Sequence, residues 1–265
     1  MRAGLDTIRA LVIDVDGVLW HGKQPLPGVL AFFDFLRAHG IAFIIATNNS
    51  ARPASDVTNR LKQMGVTIDD SYVLTSAEAT ALFLPRIAPN AKRVYIVGGE
   101  GLANALSQAG YQIVDQDADA VVVGLDPTLT YEKLKIAMRE IRRGAKFIGS
   151  NGDKTFPLDD GVAPGAGPIL AAIQTATDVA PIIIGKPERA MFDIAVEKLQ
   201  STRETTAMLG DRLDTDIEGG KRAGLKSILV MTGVTTPEIL AQSSIKPDWV
   251  FDNLDALREE FLRAY

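Results

Sequence analysis

Two carboxylates stand one residue apart in Asp14-Val15-Asp16-Gly17-Val18-Leu19-Trp20, directly after the apolar run Ala10-Leu11-Val12-Ile13. A run of Leu, Val and Ile without polar alternation is what a strand covered on both faces of a parallel sheet requires. Ligands of open α/β sheets bind beyond the carboxyl ends of such strands, and a Gly after the second Asp lets the chain turn sharply there. Asp and Gly are also ordinary turn residues, so this string alone reads equally as an acidic turn.

Three more polar clusters follow strand-like runs. The run 41–46 leads into Thr47-Asn48-Asn49-Ser50, 181–185 into Lys186-Pro187, and 206–210 into Asp211-Arg212-Leu213-Asp214-Thr215-Asp216. Thr47, Ser50 or Asp211 could each simply cap a helix. With the Asp14 cluster, these clusters make four, which in order provide a nucleophile-type acid, hydroxyl and amide donors, a lone lysine and an acidic pair. That set suits a phosphate ester and a divalent cation.

The chemistry follows from the residue types. An Asp attacking phosphorus forms an acyl phosphate and splits hydrolysis into two easier displacements, and Asp14 is the candidate. Asp16 is the candidate acid that protonates the leaving oxygen and then takes a proton from water. Thr47 and Asn48 offer donors to the non-bridging oxygens, and Lys186 offers positive charge. Mg²⁺ prefers oxygen ligands and uses one or two carboxylates, for which Asp14 and Asp211 are expected. Asp214 could simply be an acid in the first turn of a helix.

These four clusters resemble the four motifs of the haloacid-dehalogenase-like superfamily of phosphatases. The forms DVDGVLW, TNNS, GKP and GDRLDTDI are similar to its subfamily IIA, which includes 4-nitrophenylphosphatases, phosphoglycolate phosphatases and NagD-like nucleotide phosphatases. The resemblance spans essentially the whole chain. It implies an α/β fold: a Rossmann-like parallel-sheet core carrying an inserted C2-type α/β cap. It also implies that the backbone carbonyl of Asp16 is a further Mg²⁺ ligand and that Asp216 supports the metal or orients Lys186.

The elements that must position these groups alternate between strand and helix along the whole sequence. Helices are expected from Pro27-Gly28 to about His39, Ala54 to Met64, Ala77 to Leu84, Gly101 to Ala109, Thr130 to Arg143 and Gly167 to Thr177. Strands are expected at 72–74, 93–97, 120–123 and 146–149. After Asp216 come a helix at 217–223, strands at 227–231 and 249–251, and a final helix from Leu254. The middle unit is domain-sized and separates TNNS from GKP. The expected organisation is therefore a core of residues 1–83 and 183–265 with a cap at 84–182, hinged near 83–88 and 180–182.

A cap shields the acyl phosphate and adds contacts to the leaving group, so specificity is expected there. Its candidate substrate contacts are Asn151 and Asp153, after a strand, and Gly165 in the Gly-rich loop 161–167. Family members often carry Asn-Pro-Asp where this chain has Asn151-Gly152-Asp153, and losing the Pro makes the loop less rigid. Gly17 and Asn49 are the core candidates for substrate contact. The stretch 18–23 could form a short flap beside the nucleophile, with Trp20 packing there or forming part of the site wall.

Other patterns fall short of a motif. Gly98-Gly99-Glu100-Gly101 opens a helix after a strand, but Asn104 stands where a dinucleotide fingerprint needs its third glycine. Gly219-Gly220-Lys221-Arg222 lacks the P-loop's first Gly and its hydroxyl residue. His21 and His39 form no metal pair or triad. The basic group Arg139, Arg142, Arg143 and Lys146 reads as a solvated helix face.

The 265 residues carry a net charge of −5 and 46% hydrophobic residues, with no cysteine. That balance disfavours nucleic acid and anionic membrane as partners. No disulfide or thiol chemistry is available. The first residues lack a signal-peptide plan, so the expected location is cytoplasmic. The expected partner is a small phosphate monoester, and the apolar content permits a homodimer. Hydrolysis leads as the function. A phosphotransferase using the same aspartyl-phosphate, or a non-catalytic ligand-binding protein on the same scaffold, are the alternatives.

Overall fold

The computed structural model describes residues 4–158 and 161–264. Met1, Arg2 and Ala3, part of the amino-terminal stretch expected to lack a signal-peptide plan, lie outside the described residues, as do Asp159, Asp160 and Tyr265. The chain is a mixed α/β protein that divides into two compact units. The first comprises Met1–Thr47, Val57–Leu74 and Lys186–Tyr265; the second comprises Asn48–Asp56 and Thr75–Gly185.

The first unit is built on a six-stranded sheet in the order Trp249–Phe251, Lys226–Val230, Thr206–Gly210, Ala10–Ile13, Ala42–Thr47, Val73–Thr75. The pairings from Trp249–Phe251 through to Ala42–Thr47 are parallel. Ala10–Ile13 and Thr206–Gly210 are buried at every position, which is why their sequences are continuously apolar. After Ala10–Ile13 the chain adds strands on one side; from Thr206 onward it adds them on the other. The order therefore reverses beside Ala10–Ile13, and a crevice forms at such a switch point.

Helix Val29–Ala38 buries Val29, Phe32, Phe33 and Leu36, the spacing of a single apolar stripe. Its Phe33 ring meets Phe43 edge-on at 5.0 Å, and Phe35 lies 5.7 Å from Phe261 of the last helix, Leu254–Ala264. Aromatic contacts of this kind add to the area they bury.

The second unit has its own five-stranded parallel sheet, ordered Ile182–Ile183, Lys146–Gly149, Ala120–Val123, Arg93–Val97, Gln112–Ile113. Tyr95, Val97, Val121, Val123 and Phe147 pack with Ile141, Ile169, Leu170 and Ile173 from helices Tyr131–Arg142 and Ala166–Thr177. Thr130 caps the first of these helices by accepting from the Lys133 N–H at 3.2 Å.

Several elements differ from the sequence expectations. Besides the segment Asn48–Asp56, the second unit runs over Thr75–Gly185 rather than 84–182, and helix Ser76–Ile87 joins it by packing on helix Glu100–Gln108. The expected hinge at 83–88 is mostly the last turn of that helix, which runs through Pro85. Part of the Gly-rich loop 161–167 is strand: Gly161–Pro164 pairs antiparallel with Thr155–Leu158. Pro157 and Pro164 hid this hairpin, since Pro reads as a strand breaker. The run before Lys186 forms only Ile182–Ile183, and it joins the second unit's sheet.

The Gly98–Gly101 run has a packing role. The Gly101 N–H donates to the Ala51 carbonyl at 3.0 Å, and a Cβ at Gly101 would lie 2.7 Å from the Arg52 carbonyl oxygen. This close backbone approach ties the segment 48–56 into the second unit.

Candidate active site

Asp14 directly follows the central strand, and its N–H donates to the Leu209 carbonyl at 2.8 Å. Asp211 directly follows the neighbouring strand Thr206–Gly210. Parallel pairing of Ile13 with Leu209 thus brings two carboxylates to the same sheet end from distant sequence positions. The chain then turns at Gly17, whose φ of +83° suits glycine. A Cβ there would sit 2.5 Å from Asp211 Oδ2, so the turn also needs the missing side chain.

Asp216 arrives by a different route. Leu213–Ile217 forms a single wide helical turn after Asp211, and Asp216 Oδ2 accepts the Arg212 N–H at 3.1 Å. One carboxylate oxygen from each of Asp14, Asp211 and Asp216 lies within 4.8 Å of the other two, and all three residues are buried. The Lys186 ammonium, 3% exposed, pairs with Asp14 and donates to Asp216 Oδ1 at 2.8 Å.

Burial pushes the Asp14 carboxyl well above the usual carboxylate range; Lys186 opposes this, while Asp216 and Asp211 reinforce it. Burial, with Asp216 beside it, raises Asp211 to about 7. For Lys186, burial pulls the pKa down, but facing Asp14 and Asp216 more than reverses it and leaves the amine above its ordinary value. The lysine is therefore held as a cation, and clustered carboxylates compete for it.

The cluster could hold a metal ion. Asp211 Oδ2 accepts the Val234 N–H at 2.6 Å, whereas its buried Oδ1 has no hydrogen-bond partner among the described residues. A buried carboxylate oxygen left unpaired is costly, and a hard divalent cation would satisfy it. Of the three clustered carboxylates, Asp14 and Asp216 pair with the Lys186 ammonium. The donor set thus fits Mg²⁺ chemistry.

The remaining expected residues separate into distinct roles. Thr47 is buried at the carboxyl end of Ala42–Thr47, the strand on the other side of Ala10–Ile13. Asp16 lies outside the carboxylate cluster with an exposed side chain, bonded through Oδ1 to the Trp20 indole N–H at 3.0 Å. The family resemblance implies a metal contact for the Asp16 backbone carbonyl, not for this side chain. Asp214 is exposed and pairs with Arg212 at 3.0 Å.

In the second unit, the Asn48 side-chain amide donates to Asp153 Oδ1 at 3.0 Å, and the Asn48 carbonyl accepts from Asn151 Nδ2 at 2.8 Å and Ser76 Oγ at 2.6 Å. Asn151 is 3% exposed, so in this geometry it clamps the Asn48 backbone. Asn49 Oδ1 accepts from its own chain, at the Ala51 N–H. Gly165 donates its N–H to the Lys154 carbonyl and precedes helix Ala166–Thr177.

The sequence reading missed the loop after Lys226–Val230. Thr232 donates to the Gly17 carbonyl at 2.5 Å, and Val234 supplies the N–H that holds Asp211. The signal was present: Thr232-Gly233-Val234-Thr235 is a polar, Gly-containing cluster after an apolar run, the same pattern as the other motifs. A cleft of about 630 Å³ lined by Ile41, Ala42, Tyr72 and Leu199 lies instead at the amino-terminal end of the Ala42–Thr47 strand, opposite Thr47.

The chain is similar to known proteins over nearly its whole length. Residues 11–112 match the haloacid dehalogenase-like hydrolase model, and 183–257 match a second, HAD-hydrolase-like model. An acid sugar phosphatase of Staphylococcus saprophyticus is 40% identical over 253 residues, covering 95% of this chain and 97% of the relative. A 4-nitrophenylphosphatase of Thermotoga maritima superposes with a TM-score of 0.91 at 40% identity, over 96% of this chain and 98% of the other. NagD of Escherichia coli superposes at 0.87 with 32% identity, over 93% and 97%. No described helix is long and apolar enough to cross a membrane. With both motif halves matched and this identity spread over nearly its whole length, the chain belongs to the haloacid dehalogenase-like hydrolases, within their subfamily IIA phosphatases.

Proposed function

We propose that the protein is a Mg²⁺-dependent phosphomonoester hydrolase that works through an aspartyl-phosphate on Asp14. The observation that carries this reading is the convergence of Asp14, Asp211 and Asp216 around the Lys186 ammonium. The names borne by similar proteins, acid sugar phosphatase and 4-nitrophenylphosphatase, favour a small monoester as substrate.

Asp14 and Asp211, the Asp16 backbone carbonyl and nearby Asp216 would hold the ion. When bound, it supplies positive charge against the phosphate's non-bridging oxygens. In the first half-reaction an Asp14 carboxylate oxygen bonds to phosphorus while the bond to the ester oxygen breaks. Asp16 gives its proton to that oxygen, and the alcohol leaves. In the second, Asp16 takes a proton from water as the water oxygen attacks phosphorus and frees Asp14. Lys186, held cationic by its carboxylate neighbours, keeps Asp14 oriented and offsets the charge of the transferring group. Burial of Asp14 limits competing contact with bulk solvent. Thr47 and Asn48 are proposed as donors to the phosphoryl oxygens, and the segment 84–182 as the region that chooses the ester.

The test is release of inorganic phosphate from 4-nitrophenyl phosphate and a panel of sugar, nucleotide and carboxylate-bearing monoesters, with Mg²⁺ or with chelator. Denatured protein quenched during turnover should carry one phosphoryl group that is labile to hydroxylamine. Inertness toward every ester with Mg²⁺ present would refute the reading.

A further inference from the structure

We propose that Trp20 and Arg60 are positioning residues for the Asp16 carboxylate. The proposal rests on the reading of Asp16 as acid and base given above, and it explains how an exposed side chain keeps a fixed aim.

Asp14 is buried, but two residues later Asp16 faces solvent, where a free carboxylate would sample several rotamers. The Trp20 Nε1–H donates to Asp16 Oδ1 at 3.0 Å. An indole N–H only donates, so Oδ1 is kept as an acceptor and the proton of the acid form is placed on Oδ2. One bond thereby fixes both the rotamer and the oxygen that hands the proton over. Trp20 is 4% exposed, and a buried indole N–H needs a partner; here the partner is an exposed carboxylate rather than a backbone carbonyl.

Trp20 is itself held on several sides. Its carbonyl accepts the Gly17 N–H at 2.7 Å, and it pairs with Pro25 across the hairpin of Trp20–His21 with Gln24–Pro25. Arg60, on helix Ala54–Gln63, sets its guanidinium carbon 4.1 Å from the centre of the Trp20 ring and donates to the Gly22 carbonyl within the same hairpin. A cation over an aromatic face is attracted by the ring's charge distribution. Arg60 thus ties down both the ring and the hairpin that carries it. As Asp14 bonds to phosphorus and the ester bond breaks, Oδ2–H passes its proton to the departing oxygen and Asp16 is left as carboxylate.

The experiment uses the full-length protein with Mg²⁺ and compares kcat/KM for 4-nitrophenyl phosphate with that for an alkyl phosphate. kcat/KM reports the chemistry up to loss of the leaving group, and only the alkoxide needs protonation. Trp20→Phe keeps a ring beneath Arg60 and removes the N–H. It is expected to lower kcat/KM for the alkyl ester about tenfold and that for the nitrophenyl ester less than about threefold. Arg60→Gln, on a helix surface, is expected to give the same selectivity at about threefold and covers the case in which Trp20→Phe does not fold. Asp16→Asn should show the same selectivity in larger measure, and adding Trp20→Phe to it should cost nothing more.

Equal loss on both esters in Trp20→Phe or Arg60→Gln would mark a structural role and overturn the proposal. So would unchanged kinetics in both variants while Asp16→Asn remains selective. If Asp16→Asn itself shows no selectivity, the acid role of Asp16 fails and the positioning role falls with it.

Discussion

Lys186 Nζ lies 2.8 Å from Asp216 Oδ1, and the two side chains are 3% and 1% exposed. A pair so deeply buried is not a surface ornament: removing one member leaves an uncompensated charge among apolar and backbone atoms. Lys186→Met is expected to destabilise the protein in chelator at neutral pH by about 3–5 kcal/mol, read from denaturant midpoints. It should also abolish phosphate release. Unchanged stability would mean that the carboxylates do not depend on the ammonium.

Asp14→Asn removes the nucleophile while keeping the shape of the side chain. Turnover should fall by at least about 10⁴-fold with the circular dichroism spectrum unaltered. Substantial residual turnover, in protein free of wild-type contamination, would point to another nucleophile.

The orphaned Oδ1 of Asp211 gives a readout that needs no substrate. A ligand that binds only the folded state at a hundred times its Kd adds about 2.7 kcal/mol of stability. Mg²⁺ should therefore raise the melting temperature of the native protein and do so much less for Asp211→Asn. Identical shifts in both would place cation binding elsewhere.

In the second unit, Asp119 Oδ2 accepts the N–H groups of Lys92 and Arg93, each at 2.8 Å, and these bonds hold its carboxyl below the usual carboxylate range. The folded pKa is depressed, so the stabilisation is present above the unfolded value of about 3.9 and is lost as pH falls through the lower folded value. Asp119→Asn should then lower stability at pH 7 by less than about 1 kcal/mol, because the group is exposed and screened. The gap to wild type should begin to narrow as pH falls below about 3.9 and should vanish once pH is below the lower folded value. A gap that widens on acidification would reverse the assignment.

Two glycines make a matched control. A Cβ at Gly101 would meet Arg52 backbone atoms at 2.7–2.8 Å, whereas one at Gly152 would meet nothing within 4 Å. Gly101→Ala should cost about 1–3 kcal/mol in thermal or denaturant unfolding, and Gly152→Ala should change stability by under about 1 kcal/mol. Equal effects would contradict the close packing of the 48–56 segment.

What the sequence determined by itself is what depends on short-range pattern. The runs 10–13 and 206–210 had to be buried strands because they are apolar without alternation, and the acids at 14, 16, 211 and 216 had to follow their ends. Helix limits such as 131–142 lay within a residue or so of the reading because Thr130 and the apolar stripe are local signals. Tertiary structure decided everything that depends on which distant segments meet. Strand order and register put Asp14 beside Asp211 across almost two hundred residues of chain, and a wide turn, not a regular helix, brought Asp216 to Lys186. The same long-range folding turned Asn151 and Asp153 onto Asn48 and gave Arg60 a place over Trp20. A polar side chain written in a sequence carries its chemistry with it. Its partner is chosen only when burial forces each donor and acceptor to find one.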